Sequence, residues 1–337
     1  MRKQRIETSK PRRAASDTSS GDTAHANTHS RPGMSSEAEG GSDPAKKSES
    51  QIFPARVPRF KLSDLVLSDQ AASDVNAAVE RLNSHTVIYG TWGLQAVDPR
   101  GASVAINLFG PPGTGKTACA EAIAHKLGRK IITVDYEAIE SKYVGETPKN
   151  IAAAFAAAND AGAVLFFDEA DSILGKRLSS VTQSADHSVN LTRAVMLKQM
   201  EYFVGVIIFA TNLPSNYDPA FARRILAHVR FQLPDEKMRC ALWDRYLPGK
   251  MPGSLDLSRS DLSTASKGLS GADILNAVVL GAARAASELG SAGPIELRHL
   301  LAGIEMVRVG QRAVSGPLVR VTERDASIDE AISASES

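Results

Sequence analysis

Residues 104–117 read Val-Ala-Ile-Asn-Leu-Phe-Gly-Pro-Pro-Gly-Thr-Gly-Lys-Thr, an apolar run that leads straight into G-x-x-x-x-G-K-T. That pattern describes a loop whose backbone N–H groups cradle phosphates. Gly110, Gly113 and Gly115 let the chain approach an anion without side-chain bulk. Lys116 brings a point charge to the outer phosphates, and the Thr117 hydroxyl is suited to ligating Mg²⁺. Pro111, Pro112, Thr114 and Ala118 complete the stretch expected to touch the nucleotide. Val104–Phe109 has the composition of a buried strand and Ala118–Leu127 that of a helix, which puts the phosphates at a helix N-terminus. There, orphan N–H groups and the helix dipole favour negative charge. A nucleoside triphosphate is therefore the expected ligand.

Working outward, strand-like and helix-like runs alternate. Ile131–Val134 precedes Ile151–Ala158, Val164–Phe167 precedes Leu191–Phe203, and Val206–Ala210 and His228–Leu233 follow. Such alternation predicts parallel βαβ units in a sheet covered on both faces. After Pro234 the pattern is helical only, over Glu236–Tyr246, Asp261–Ala265, Ala272–Glu288 and Ile295–Val309, which predicts a smaller all-α domain. Upstream, Ala71–Leu82 has amphipathic spacing. Trp92 is expected at the rim of the nucleotide pocket, in a subunit interface, or in the core.

The expected organisation is a Ser-rich tail over 1–56, a nucleotide-binding domain over 57–233, a helical domain over 234–312 and a second tail over 313–337. Residues 1–50 have almost no large apolar side chains and cannot offset their ordering entropy by burial. The first thirteen residues nevertheless carry six basic groups, which permits a docking arm as well as a solvated tail. A net charge of +1 gives no global field for a polyanion, so no nucleic-acid partner is expected. No apolar run reaches the ~20 residues of a membrane span, and no apolar leader follows the basic start. Cys119 and Cys240 stand outside any metal or redox spacing, so a reducing, cytoplasmic setting is expected.

Val164-Leu165-Phe166-Phe167-Asp168-Glu169 is an apolar strand that ends in two acids. Beside a phosphate loop, Asp168 can join the Mg²⁺ shell and Glu169 can orient an attacking water. The next strand ends in Ala210-Thr211-Asn212, at the strand C-termini where α/β sheets bind ligands. Asn212 could reach the γ-phosphate or the water.

The ordered set G-P-P-G-T-G-K-T, L-F-F-D-E-A-D, I-F-A-T-N, D-P-A-F-A-R-R and S-G-A-D resembles the AAA+ ATPases, and within them the AAA branch, over about residues 60–310. The resemblance implies a P-loop α/β domain with a five-stranded parallel sheet, helices on both faces and a small all-α lid. It also implies ATP with Mg²⁺ bound between subunits of a homo-oligomeric, hexameric ring. Gly110–Thr117 resembles the Walker A loop, Asp168-Glu169 the Walker B pair, and Asn212 the sensor-1 position. Arg223 and Arg224 fall where the family carries arginine fingers, with Arg224 the first choice. The spacing departs from the commoner R-P-G-R, since Ile225 follows directly and the next arginine is Arg230. Ser270-Gly271-Ala272-Asp273 reads as a capping box, and by resemblance Gly271 and Ala272 lie against the adenosine.

Lys142-Tyr143-Val144-Gly145 is similar to the aromatic pore loop of protein-threading rings. Tyr143 and Val144 would then grip a polypeptide, unless Tyr143 packs internally. The resemblance points to an ATP-driven protein-remodelling ring, with a nucleotide-gated assembly or docking factor as the alternative. No H-E-x-x-H and no second phosphate loop occur in the chain.

Overall fold

The computed structural model describes residues 53–97, 104–135, 146–175, 184–212, 217–290 and 293–315. Five strands form one parallel sheet: β1 (Val104–Phe109), β2 (Ile131–Asp135), β3 (Val164–Asp168), β4 (Val206–Thr211) and β5 (Ile225–Arg230). Their order across the sheet is β2-β3-β4-β1-β5. Chain order and spatial order diverge between β4 and β1, so their C-terminal ends flank the crevice in which an open α/β sheet takes a ligand.

β1, β3 and β4 are apolar at nearly every position because both faces are covered. On β3, Val164 and Phe166 join one core while Leu165 and Phe167 join the other. The first core packs against α1 (Asp69–Thr86) and α2 (Lys116–Lys126). The second packs against α3 (Glu146–Ala161), the short α4 (Asp171–Leu174) and α5 (Ser184–Tyr202). Its centre is a ring cluster, with Phe155 edge-on to Phe203 at 5.2 Å and Phe167 stacked on Phe209 at 5.5 Å. Such pairs add about 0.5–1.5 kcal/mol each beyond area burial.

The chain enters this layer earlier than composition suggests. Phe53 is buried, and Arg56 bridges Ile131 at the edge of β2. Arg59 then clamps Glu121 on α2 through its backbone amide at 2.8 Å and its guanidinium at 2.6 Å. Burial alone would raise the Glu121 carboxyl, but these bonds outweigh it and hold the group below its usual range.

After β5 come α6's successors. α6 itself (Pro219–Ala222) is a single turn N-capped by Asp218, ahead of β5. Beyond β5 lie α7 (Glu236–Tyr246), α8 (Arg259–Ala265), α9 (Gly271–Leu289) and α10 (Leu297–Ser315). Trp243, Leu262, Ile274, Ala277 and Leu300 form a third core among these helices.

Two expectations need correcting. β5 begins at Ile225 and ends at Arg230, not over 228–233, because Ile225 and Val229 are the residues its inward face buries. Trp92 is 75% exposed, which removes the core and the nucleotide-pocket rim from its three expected places and leaves the subunit interface. Gly93, the next residue, has φ 76°, in the left-handed region. Among the described residues no helix is long and apolar enough to cross a membrane.

Candidate nucleotide site

β1 ends at Phe109, and the chain must turn at once beneath the first residue after β5. A Cβ on Gly110 would overlap the Phe231 carbonyl, so only glycine fits there. Gly113 has φ 72° and sits against Ser270 and Ala272 of the lid, where a side chain would collide with the Ser270 hydroxyl. The loop thus passes between sheet and lid, and α2 begins immediately at Lys116.

Lys116 is folded into the loop. Its Nζ donates to the Gly110 and Pro111 carbonyls and to Asn212 Oδ1, each at 2.8 Å. Burial lowers its affinity for the proton, while Asp168 and Asp171 act in the opposite sense. Thr117 Oγ1 donates to Asp168 Oδ2 at 2.8 Å. Asp168 Oδ1 in turn accepts the Glu169 amide at 3.0 Å. Glu169 is exposed, with φ 51°, and is the one non-glycine residue at positive φ among the described residues. That conformation costs about 1–2 kcal/mol and turns the side chain away from the strand direction.

Asp171 was missed in the sequence. Its carboxylate accepts the Asn212 amide at 3.1 Å, so the first turn of α4 fixes the end of β4. Sequence spacing carries a usable signal for it, since Asp168 and Asp171 stand three apart at a strand-to-helix turn.

The cleft above the loop has a volume of about 550 Å³. Gly113 to Ala118, Asp168, Glu169 and Asn212 line its polar end. Phe60, Leu65, Val66, Met238, Leu242 and Tyr246 line the other end, and none of these was singled out from sequence. Gly271 and Ala272 stand at the junction, where the Ala272 amide donates to the Gly113 carbonyl at 3.1 Å. The capping box is present: Ser270 Oγ accepts the Asp273 amide, and Asp273 accepts the Ser270 amide at 2.8 Å. A planar apolar base at one end and an anion at the other are the two chemistries this cleft accommodates.

Arg223 and Arg224 lie away from the cleft. Arg224 Nη1 donates to the Ala220 carbonyl at 3.0 Å, and Nη2 stands 3.9 Å from Glu201. The Arg223 side chain is exposed and has no hydrogen bond or ion pair among the described residues, while its backbone N–H donates to the Pro219 carbonyl at 3.2 Å. Tyr143 and Val144 lie outside the described residues.

Residues 106–233 match the model of the ATPase family associated with various cellular activities, the AAA family. The chain carries an AAA ATPase domain. It is 35% identical over 225 residues to a cell division cycle protein 48 homologue from Archaeoglobus fulgidus, covering 65% of this chain and 29% of that protein. It is 34% identical over 224 residues to a 26S proteasome regulatory subunit 6B homologue from Dictyostelium discoideum, covering 64% of this chain and 54% of that one. The chain therefore spans less than a third and about half of these relatives' lengths. The matched AAA segment runs from β1 to just beyond β5 and contains the whole polar end of the cleft.

A hard divalent cation suits the donor set at that end. Thr117 supplies a hydroxyl and Asp168 a carboxylate, already within hydrogen-bond distance of each other next to the phosphate loop.

Proposed function

We propose that this chain is an ATP-hydrolysing subunit of a protein-remodelling ring built from copies of itself, six in the usual arrangement. The catalytic unit comprises a nucleotide-binding domain that takes in Phe53 and Arg56 and extends to 233, and a lid that runs from 234 to the end of α10. A cytoplasmic setting belongs to the same proposal, in keeping with two unpaired cysteines.

One observation carries the reading. Lys116 and Thr117 on α2, Asp168 at the end of β3 and Asn212 just after β4 are already joined in pairs by 2.8 Å hydrogen bonds, Lys116 to Asn212 and Thr117 to Asp168. When ATP enters, its phosphate oxygens replace the carbonyl and amide oxygens around Lys116 Nζ. The loop amides and the start of α2 take up the remaining charge. Mg²⁺, held by Thr117 and Asp168, would neutralise charge on the phosphates. Glu169, freed from the strand direction by its left-handed backbone, accepts the proton of the attacking water, and Asn212 orients that water.

Arg223 or Arg224 completes the site of the next subunit, where a guanidinium stabilises charge on the transferred phosphoryl group. Arg223 is the freer of the two, because Arg224 is tied to its own α6 and to Glu201. Tyr143 and Val144 are the residues proposed to grip the protein substrate.

The test uses a fluorescent protein with an unstructured tail as the probe, with unfolding and ATP hydrolysis followed together. Wild type should unfold it, and Tyr143→Ala should hydrolyse ATP while leaving the probe folded. Mixing in Arg223→Ala subunits should lower hydrolysis by more than their share. If Tyr143→Ala unfolds the probe as well as wild type does, threading is wrong. ATP-dependent binding of a partner that survives Glu169→Gln would favour the docking-factor alternative.

A further inference from the structure

Three polar side chains stand together against a sheet face otherwise filled by apolar ones, among them Leu165, Phe167, Ile207 and Phe209. Asn107 on β1 and Thr211 at the end of β4 are both fully buried. The β1–β4 register pairs Asn107 with Phe209 and Phe109 with Thr211, so the two lie two rungs apart on one face. The hydroxyl of Tyr217 joins them. It accepts from Asn107 Nδ2 at 3.0 Å and lies 2.8 Å from Thr211 Oγ1. Asn107 Nδ2 also faces His228 Nδ1 on β5 at 3.4 Å. Burying an amide and two hydroxyls in an apolar layer costs about 1–3 kcal/mol for each group left unpaired, so an aliphatic set would fill this space at lower cost.

The position of Tyr217 gives the cluster a use. Thr211 precedes Asn212 directly, and its carbonyl accepts the Gly110 amide at 3.2 Å, so it touches the phosphate loop and the water-orienting residue together. Tyr217 precedes Asp218, the N-cap of α6, and Arg223 is the C-cap of α6. One hydroxyl therefore connects the strand end beside the chain's own nucleotide to the turn that presents its arginines. The link is short and internally bonded, with no solvent-exposed ion pair in it.

We propose that Tyr217 is a positioning residue that couples the state of a subunit's own nucleotide site to the arginines it offers its neighbour. When phosphate draws Lys116 and Asn212, the end of β4 shifts, and Thr211 carries that shift through Tyr217 to α6. This rests on the ring reading with arginines acting between subunits.

The experiment is ATP hydrolysis against ATP concentration by the assembled full chain, for wild type, Tyr217→Phe, Thr211→Val and the double variant. Wild type should be cooperative. Each single variant should bring the Hill coefficient down to about 1 while changing half-saturation less than about threefold. The double variant should add nothing, because both changes remove the same bond. Thermal unfolding midpoints check the fold, and Thr211→Val decides the matter if Tyr217→Phe does not assemble. Cooperative wild type with equally cooperative variants overturns the coupling and leaves the ring reading standing. A non-cooperative wild type that Arg223→Ala and Arg224→Ala subunits fail to poison overturns both.

Discussion

On the sheet side of the nucleotide cleft, the polar groups sit at strand ends and hold one another. Lys116 bonds Asn212, Thr117 bonds Asp168, and Asp171 bonds the Asn212 amide. On the lid side, the wall is mostly apolar, with Met238, Leu242, Tyr246 and Leu275, and the Ala272 amide donates to the Gly113 carbonyl. Hydrogen-bonded charge has narrow geometric tolerance, whereas apolar contact tolerates small shifts. The sheet wall is therefore suited to chemistry, and the lid wall to closing on whatever the sheet wall has bound.

The internal construction of the two regions differs as well. The sheet is held by long-range strand pairing under two aromatic and aliphatic layers. The lid relies on close helix approach. Gly281 faces the His299 carbonyl, and Gly303 faces the Ala277 carbonyl, so α9 and α10 meet almost backbone to backbone. A polar knot ties their far ends: the Glu296 amide donates to His299 Nδ1 at 3.0 Å, and Nε2–H then donates to Glu288 at 3.2 Å.

The contrast can be broken from either side. Lys116→Ala should have the largest effect on the sheet wall. Losing one charged donor is worth about 1.5–3 kcal/mol, so ATP affinity should fall roughly 10- to 150-fold in equilibrium binding, with the lid fold unchanged. Gly303→Val should strike the lid alone. Overpacking against a backbone carbonyl costs about 1–3 kcal/mol, more than the few tenths gained in helix propensity, so a denaturant melt should show the lid loosening by about 2 kcal/mol.

A smaller effect is expected at the cleft lining, where Arg245 lies 3.4 Å from Asp64. Both side chains are well exposed, so a double-mutant cycle of Arg245→Ala and Asp64→Ala should give a coupling below about 1 kcal/mol, weakening further in salt.

The pH response sharpens the same comparison. Hydrogen bonds from Arg284, His299 and Arg298 pull the Glu288 carboxyl from its ordinary 4.5 down to about 2. A depressed carboxyl contributes stability that is present above pH 4.5 and lost as pH falls toward 2. Lid stability should thus be insensitive to this group from neutrality to about pH 4.5 and decline below it, and Glu288→Gln should remove that decline in acid-titration melts.

Much of this was legible in the chain because local rules and tertiary environment agree there. Val104–Phe109 is apolar at every position but Asn107, and β1 has those bounds. Asp235 caps and Leu247 closes a helix whose limits, Glu236 and Tyr246, match the expected ones. The phosphate loop, Asp168 and Asn212 fell together because a motif fixes them relative to strand ends. β5 was misplaced because the polar Arg223-Arg224 and the exposed Leu226 and His228 obscure an edge strand that buries only Ile225 and Val229 deeply. The apolar end of the cleft was invisible for a different reason. Phe60, Val66, Met238 and Tyr246 come from segments far apart in sequence, and each alone is an ordinary apolar residue. Asn107 and Tyr217 likewise gain meaning only from a hydrogen bond spanning 110 positions.

The most direct test of the account is ATP binding and ATP hydrolysis measured side by side for wild type and Glu169→Gln. The sheet wall as described assigns Glu169 to the water and leaves phosphate binding to Lys116 and the loop. Affinity should therefore remain within about threefold while turnover falls by roughly 10²–10⁴-fold. Turnover near the wild-type rate would contradict the assignment of the strand-end acids and, with it, the division of labour between the two walls.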